Sequence, residues 1–475
     1  MTLTKSFLLG SAASMLAVSG ASAADLPSKS KGPAVEYVRI CDTYGAGYFY
    51  VPGTDTCLKI SGYARADYAV RNVTNRFGTV GGSGTDAVPV KPTGISSAAR
   101  NTTGFAGLGG LELDARSQTA WGTLRGFIRY EIFTNSGLFT NNTGITSAST
   151  ANSGSGASLD KAFVQFAGVT AGRAQSFFTF YGDAYPLDIS RGEDSTTHML
   201  AYTASFGGGF SATVSIEDPV VRRGGIGTNS FEAPALNPLN NQIRSAIYGG
   251  SKIPDVVAQL RVDQSWGKAQ LSGAYHEINT ISDSKIGAPK ASGTGWAVQA
   301  GIAINLPSLA AGDEVYLQGA YAVGAKSYLG LGSLGDRTNA LQRNDVDAVA
   351  VASGIAAAKT YHLEKGKGYN IQGGIKHFWA PNLKSTLWAA YTTWGYGAQS
   401  RANTFDEGGF GNGKELMVGT QLIWTPVKNL DLTFDLSYQH LTQQVKQEVL
   451  GAKLPVGAKK DGSAFTGRLR IQRSF

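Results

Sequence analysis

Apolar and polar residues alternate one by one over several long stretches of this chain, and this pattern limits the fold more than any other feature. In 430–439 one face carries Leu430, Leu432, Phe434, Leu436 and Tyr438, and the other carries Asp431, Thr433, Asp435, Ser437 and Gln439. Segments 123–132 and 111–116 alternate similarly, with Phe127 as an interruption. This period predicts β-strands with one apolar face. These faces are too long and too charged for a small sandwich, so either one face meets lipid or the other is a wetted exterior.

Composition favours a membrane β-barrel over a helical membrane protein. No stretch after the N-terminus approaches the roughly 20 continuous apolar residues that a membrane helix needs. Glycine accounts for 62 of the 475 residues, and only 16% of the residues are charged. A mean hydropathy of −0.10 is too polar for a helical membrane protein. It suits a wall that has one face in lipid and one face in water.

The first residues predict export. Lys5 is the only charged residue before Asp25, 6–18 is apolar or small, and 21–23 (Ala-Ser-Ala) matches the small-x-small pattern of a cleavage site. We therefore expect a signal peptide over 1–23 and a mature chain that starts at Ala24. The alternative, a short membrane anchor, is disfavoured because the apolar stretch is too short to span a bilayer.

Short and long connections alternate between the predicted strands. The short ones lie at 121–122, 207–209, 266–267, 379–382 and 424–429, and the long polar ones at 71–103, 135–157, 218–254, 279–293, 324–367, 396–413 and 442–461. A transmembrane barrel has short periplasmic turns and long external loops. Four tryptophans would then share one rim as an interfacial aromatic girdle, namely Trp121, Trp266, Trp379 and Trp424.

Counting strands between these connections gives about sixteen, an even number as in bacterial outer-membrane barrels. The predicted strands are 58–70, 104–117, 123–134, 158–167, 169–175, 199–206, 210–217, 255–265, 268–278, 294–305, 314–323, 368–378, 384–395, 414–424, 430–441 and 462–475. The predicted fold class is therefore all-β, a 16-stranded antiparallel transmembrane β-barrel over 58–475. We expect it in the outer membrane of a Gram-negative bacterium, in contact with outer-membrane lipid and lipopolysaccharide.

The last predicted strand alternates up to the final residue. Phe465, Leu469, Ile471 and Phe475 share one face, and Thr466, Arg468, Arg470, Gln472 and Ser474 share the other. A final amphipathic strand with an aromatic carboxyl-terminal residue resembles the signal by which barrel-assembly machinery recognises outer-membrane proteins. We therefore expect Phe475 to serve as an assembly signal. The alternative is a chance terminal phenylalanine on a soluble edge strand.

Cys41 and Cys57 are the only cysteines, and a turn-rich stretch separates them. In an exported chain this pair predicts a disulfide, here within an N-terminal extension over 24–57. The five histidines are scattered without ligand spacing, so we expect no metal site and no cofactor. The formal net charge is +8, but no basic cluster is interleaved with stacking aromatics, which argues against a nucleic-acid partner.

Several motifs resemble those of alphaproteobacterial general porins. The most specific is 35–60, VEYVRICDTYGAGYFYVPGTDTCLKI, which is preceded by ADLP at 24–27. GRAQSFF at 172–178 resembles the family's approach to its constriction loop, and DQSWG at 263–267 resembles a mid-barrel turn. The resemblance implies a sixteen-stranded barrel, homotrimers, passive diffusion of small hydrophilic solutes and ions, and a third loop folded into the lumen. Loops 71–103 and 324–367 match no family motif.

Segment 176–198 is denser in aromatic and acidic residues than the other predicted loops. A loop folded against the inner wall needs apolar anchors to hold it and polar groups that face water, and this constriction loop has both. We expect the acidic side of the pore constriction to consist of Asp183, Asp188, Glu193 and Asp194. Alternation points a basic wall inward opposite it, made of Arg65, Arg116, Arg125, Arg129, Arg468 and Arg470.

Acids on one side of a narrow lumen and arginines on the other would create a transverse field, which low-dielectric walls focus within the pore. Such a field orients dipolar solutes and hinders apolar ones. The alternative is that these charges only pair and rigidify the barrel. The inward arginines outnumber the acids, which favours weak anion preference, but the four loop acids would reverse it if they lie at the narrowest point.

Other functions compete with passive diffusion. Ser195 and His198 lie near Asp188 and Asp194, but no motif holds a nucleophile beside an oriented base, so we expect no enzyme. An active transporter coupled to an inner-membrane energy source needs about 22 strands and a plug, for which the chain is too short. A soluble adhesin or sandwich is a minor alternative. A substrate-specific channel with a saturable binding site is the main one.

Overall fold

A computed structural model describes the chain in segments. They are 39–74, 102–139, 153–180, 185–187, 192–228, 248–280, 290–331, 346–353, 360–401, 411–444, 448–449, 452–453 and 459–475. The predicted signal peptide lies outside these segments. Within them, no helix is long and apolar enough to cross a membrane.

Sixteen strands in the described segments form the wall of the molecule. They are β1 (Cys57–Thr74), β2 (Thr103–Thr119), β3 (Gly122–Ser136), β4 (Ser153–Phe166), β5 (Val169–Gln175), β6 (Thr196–Gly207), β7 (Phe210–Glu217), β8 (Asp255–Gln264), β9 (Gly267–Asn279), β10 (Ser292–Asn305), β11 (Glu314–Val323), β12 (Lys367–Ala380), β13 (Leu383–Gly395), β14 (Gly413–Val427), β15 (Leu430–Gln444) and β16 (Lys459–Ser474). Each pairs antiparallel with the next, and β16 also pairs with β1, so the sheet is closed. The predicted fold class is confirmed.

The seam between β16 and β1 is completed by the last residue of the chain. The backbone amide of Phe475 donates to the Gly62 carbonyl at 3.0 Å, and the Gly62 amide donates back at 3.1 Å. A Cβ on Gly62 would lie 2.8 Å from the Phe475 ring and 2.3 Å from the Gly110 carbonyl oxygen. Only glycine leaves enough space there, so the sequence at 62 allows the terminal aromatic residue to close the barrel.

Every predicted strand is present, and three match to the residue, namely 169–175, 210–217 and 314–323. The others differ mainly at their ends. For example, β1 continues to Thr74 and β15 to Gln444, beyond the predicted ends at 70 and 441. The difference has a simple cause, because ladder hydrogen bonds need only backbone groups and continue past the last apolar side chain.

The two faces of the wall differ as alternation requires. Large apolar residues such as Leu200, Leu260, Leu317, Ile371 and Leu387 point outward and are exposed, as in a lipid-facing band. The four predicted rim tryptophans are also exposed, at 79% for Trp121 and 64% for Trp379. All four lie beside short connections, at what we call the short-turn end. The opposite end is the long-loop end.

Short elements occupy the connections. Phe49–Tyr50 pairs with the start of β1, and Glu448–Val449 pairs with Ala452–Lys453. Ile226–Thr228, Ala348–Ser353 and Thr360–Lys365 form a three-stranded sheet at the long-loop end. The short helices are Asp42–Tyr44, Gly137–Phe139, Pro219–Arg222, Lys326–Leu329 and Ala398–Arg401. The predicted polar loops 218–254 and 324–367 thus contain paired strands.

The largest apolar cluster lies inside the barrel. It joins Phe178 to Tyr328, Leu329 and Val349 of the long-loop end and to Trp394 of β13. The rings of Phe178 and Tyr328 meet edge to face with centroids 4.7 Å apart. The interior next to β8–β13 is therefore packed.

Candidate functional site

The segment after β5 runs along the inner wall of the barrel. The Phe178 carbonyl accepts hydrogen bonds from the side-chain amides of Gln299 at 2.7 Å and Gln270 at 3.2 Å. The Phe177 carbonyl accepts from Gln259 at 2.9 Å. These glutamines belong to β8, β9 and β10, so three neighbouring strands hold the start of the loop. We call these inward glutamines, with Gln318 of β11 and Gln372 of β12, the glutamine wall.

The loop then continues around the lumen. The Tyr185 ring packs on Tyr316 of β11, with centroids 4.9 Å apart. The Leu187 amide donates to the Asp435 carboxylate of β15 at 3.1 Å, and the Leu187 carbonyl accepts from Arg468 of β16 at 2.7 Å. The constriction loop therefore folds into the lumen as the sequence predicts, and its described residues contact strands from β8 to β16.

The loop returns through a buried cluster of one arginine and two glutamates. One nitrogen of the Arg222 guanidinium lies 3.2 Å from Glu193 and 3.1 Å from Glu217, and all three side chains are fully buried. The guanidinium also stacks on Tyr328, 4.0 Å from the ring centroid. Glu193 therefore does not face the lumen, contrary to the sequence prediction. Its partner comes from a different long connection, which alternation cannot reveal.

The other predicted acids have different positions. Asp194 is exposed and accepts a hydrogen bond from Gln175 at 2.8 Å. Asp183 and Asp188 lie outside the described residues. The acidic side of the constriction therefore remains a prediction.

The predicted arginines come together on the inner faces of β16, β1, β2 and β3, which we call the arginine wall. Three of them surround Asp67: Arg468 at 2.8 Å, Arg470 at 2.7 Å and Arg65 at 3.5 Å. Three guanidinium groups thus share one carboxylate. Since Arg468 also contacts Leu187, this cluster lies where the constriction loop meets the wall.

A second cluster lies nearer the short-turn end. Asp114 accepts paired hydrogen bonds from Arg116, at 3.0 and 2.8 Å, and from Arg125, at 3.0 and 2.9 Å. Arg129 pairs with Glu112 at 2.6 Å and with Asp160 at 3.4 Å. Register between β3 and β4 shifts at Arg129, so Asp160 occupies a bulge. A bulge re-aims a side chain, which brings this acid toward the arginine.

Sequence reasoning missed Asp67 and the glutamine wall. The signal for Asp67 was available, since it lies two residues from Arg65 and therefore shares its strand face. The glutamines also recur on inward positions, but nothing in their spacing shows that a loop would cover them. The sequence pattern also gives Gly172 no role beyond its place in the motif at 172–178. Its φ is +123°, and a Cβ there would lie 2.3 Å from the Ala162 carbonyl oxygen.

The predicted disulfide is present between Cys41 and Cys57, with Cα atoms 5.9 Å apart. Both cysteines are buried with Tyr48, and Tyr44 and Tyr50 pack against them. Burial raises the pKa of Tyr48, and the nearby Asp114 carboxylate adds to the rise. The N-terminal extension thus touches the second arginine cluster.

A buried carboxylate ties together two long connections. Asp347 accepts hydrogen bonds from the backbone amides of Gly224 at 2.7 Å and Lys326 at 2.9 Å. Burial raises the pKa of the Asp347 carboxyl to about 6, although Lys326 and His276 oppose the shift. In the part of the chain that the structure describes, no group of three or more His, Cys, Asp or Glu side chains is arranged to hold a metal ion.

A closed barrel with an apolar outer band, a charged lumen and a loop folded inside defines a class of protein, the outer-membrane diffusion channel. The model of the porin subfamily matches residues 25–466. The chain belongs to this family, and the short-turn end is accordingly periplasmic. The family is one of channels, as the sequence resemblance implied.

Individual relatives agree with this assignment. Porin Omp2b of Brucella suis biovar 1 (strain 1330) is 33% identical over 326 residues, which cover 68% of this chain and 74% of the relative. Porin Omp2b of Brucella melitensis biotype 1 is 32% identical over the same shares. The outer membrane channel DcaP of Acinetobacter baumannii superposes with a TM-score of 0.52 at 16% identity, covering 90% of this chain and 99% of that one, and shows the same fold. None of these comparisons supports a substrate-specific alternative.

Proposed function

We propose that small hydrophilic solutes and ions cross this porin between the arginine wall and the constriction loop, with weak anion preference. The observation that carries the proposal is the Asp67 cluster, in which three guanidinium groups share one carboxylate at the point where Leu187 meets Arg468. The local excess of positive charge therefore lies beside the loop that narrows the lumen.

The physical basis is electrostatic. The wall around the lumen is protein and lipid of low dielectric constant, which focuses the field of the arginines into the water between them. Anions gain a favourable potential there, and dipolar solutes are oriented. The carboxylates of Asp67, Asp114 and Glu112 limit this excess, so the selectivity is weak. Asp183 and Asp188 belong to the proposal as acids of the opposite side.

We also propose a homotrimer that is assembled with Phe475 as the signal for barrel-assembly machinery. The family resemblance supports the trimer, and the exposed aromatic terminus on the seam supports the signal. The exposed apolar band fits contact with outer-membrane lipid and lipopolysaccharide. If the conductance of a planar bilayer rises in groups of three equal steps when the protein inserts, this would support the trimer.

The test of the path is replacement of Arg125 and Arg129 together by alanine, with current recorded in planar bilayers. The expected result is higher single-channel conductance and a reversal potential shifted toward cations. Arg473→Ala is the control, because this arginine is exposed outside the lumen at the short-turn end and binds the Lys428 carbonyl. Unchanged selectivity in the double variant would mean that ions do not pass this wall.

A further inference from the structure

We propose that the disulfide-closed segment 41–57, which we call the tyrosine ledge, is a second selectivity element at the periplasmic end of the arginine wall. In it, Tyr48 is a positioning residue whose ring supports the guanidinium group of Arg116, which shares the Asp114 carboxylate with Arg125. This inference rests on the proposed ion path along the arginine wall. It assigns a role in permeation to a segment outside the barrel strands.

The ledge is fixed to the base of the barrel. Cys57 is the first residue of β1 and pairs with Arg116 of β2, so the disulfide ties Cys41 to the short-turn end. The Cys41 amide donates to the Tyr48 carbonyl at 3.0 Å, and Phe49–Tyr50 pairs with Cys57 and Leu58. The segment is therefore a closed, folded-back loop rather than a free extension.

The ledge lies on the lumen side of the wall. The Arg116 guanidinium is 5.3 Å from the centroid of the Tyr48 ring and 5.8 Å from that of Tyr44. The Lys59 ammonium is 5.9 Å from the Tyr48 ring. Lys59 and Asp114 are register partners and share the inner face with Arg116. The two tyrosines thus pack under inward charges and not against lipid.

Tyr48 acts through its neighbours because its own side chain is hidden. It is only 5% exposed, whereas Arg116 and Arg125 keep 28% and 27% of their side chains exposed. Its ring supports the guanidinium of Arg116 by a cation–π contact, and Arg116 shares the Asp114 carboxylate with Arg125. The periplasmic end of the arginine wall is therefore supported by this one ring.

On this proposal the ledge also narrows the periplasmic exit. Residues 42, 43 and 45–47 of its tip are exposed, next to the Tyr44 and Tyr48 rings. A disulfide that only fastened the end of β1 would not require two tyrosines on the inner face of the wall. Release of the ledge should widen the exit and let Arg116 and Arg125 reorient, which weakens the focused field.

The experiment uses the full-length porin in planar bilayers. Two changes release the ledge, namely Tyr48→Ala and the double change Cys41→Ser with Cys57→Ser. Both should raise single-channel conductance and move the reversal potential in a salt gradient toward zero. Tyr48→Phe keeps the ring that supports Arg116, so it should retain wild-type conductance and selectivity.

Tyr50→Ala is the matched control. Tyr50 is in the same segment and packs against the same cysteines, but its ring stacks on Arg39 at 4.7 Å. Among the described residues, no hydrogen bond, ion pair or cation–π contact joins it to the arginine wall. It should keep wild-type conductance and selectivity. Heat-modifiable mobility on a gel verifies that each variant forms a barrel before current is recorded.

Two results would overturn the inference. If Tyr48→Ala and the cysteine variant are less heat-stable but conduct and select as wild type does, the ledge is only a brace. If Tyr50→Ala changes the current as much as Tyr48→Ala does, the effect is not specific to the wall. The proposed path fails separately, when Arg125→Ala with Arg129→Ala leaves selectivity unchanged.

Discussion

The arginine wall and the glutamine wall face each other across the same lumen and differ in how exposed their side chains are to water. The six arginine side chains keep between 14% and 29% of their surface exposed. The five glutamines are between 1% and 7% exposed as whole residues. One wall therefore bounds open water, and the other is covered by the constriction loop.

The difference follows from what each side chain costs to bury. A glutamine amide is neutral and carries both donors and acceptors, so it can bind loop carbonyls without burying a charge. An arginine must stay hydrated or find a carboxylate. Arg222 is the exception, since it is buried behind the loop, and it has two carboxylates and an aromatic ring as partners. The arginine side chains thus line the water path, and the glutamine side chains bind the constriction loop.

The largest effect is expected for Arg222→Ala, on the side of the lumen that the constriction loop covers. Removal of one partner leaves Glu193 and Glu217 buried and unpaired, which costs about 3–5 kcal/mol. The constriction loop should detach, so current noise should rise and the free energy of unfolding in urea should fall. Arg223→Ala is the control, because this neighbour binds Ser251 and makes no contact with the two glutamates. Equal stability of both variants would show that the buried cluster does not hold the loop.

Gln270→Ala should have an intermediate effect on the same side. The side-chain amide of Gln270 donates to the carbonyls of Phe178 at 3.2 Å and Thr179 at 3.1 Å. Phe178 keeps Gln299 as a donor, but the Thr179 carbonyl loses its bond to Gln270. An unsatisfied carbonyl costs about 1–3 kcal/mol, so limited proteolysis should cut the loop faster. Gln165→Ala on β4 is the control, because the side chain of Gln165 donates to Thr170 and accepts from Arg125 and does not bind the loop. Identical cutting rates would contradict a glutamine seat.

On the open side, Arg470→Ala and Asp67→Asn should shift selectivity in opposite directions. The first removes one of three positive charges around Asp67, so the reversal potential should move toward cations. The second removes the only carboxylate that these three share, so it should move toward anions. Each shift should be smaller than that of Arg125→Ala with Arg129→Ala. A shift of the same sign in both variants would rule out a direct electrostatic effect.

The smallest effect concerns pH on the covered side. The pKa of Asp347 is raised from 3.8 to about 6, so the folded state favours the protonated form. Stability from this group is complete below pH 3.8 and is lost as pH rises through about 6. Hydrogen-exchange protection at Gly224 and Lys326, corrected for intrinsic rates, should fall over that window. Asp347→Asn should remove the dependence, and an unchanged profile would contradict it.

Alternation and the spacing of the connections were enough to predict all sixteen strands. Alternation also predicted the six inward arginines, because period two fixes which face a side chain occupies. It could not predict what covers a face. Glu193 shows this limit, since its burial depends on Arg222 from a connection that the sequence pattern leaves unstructured. Tyr48 shows it too, because the pairing of the cysteines was predicted but not the side of the wall on which the ring would pack.

Thiol accessibility tests the central claim most directly. The two native cysteines form the disulfide, so Arg125→Cys and Ser272→Cys each introduce one free thiol, on the arginine wall and under the loop respectively. A charged, water-soluble thiol reagent should reduce the current through the open Arg125→Cys channel and leave the Ser272→Cys channel unchanged. Rapid block of the Ser272→Cys channel with no effect on the Arg125→Cys channel would place the water path on the other side and contradict the account.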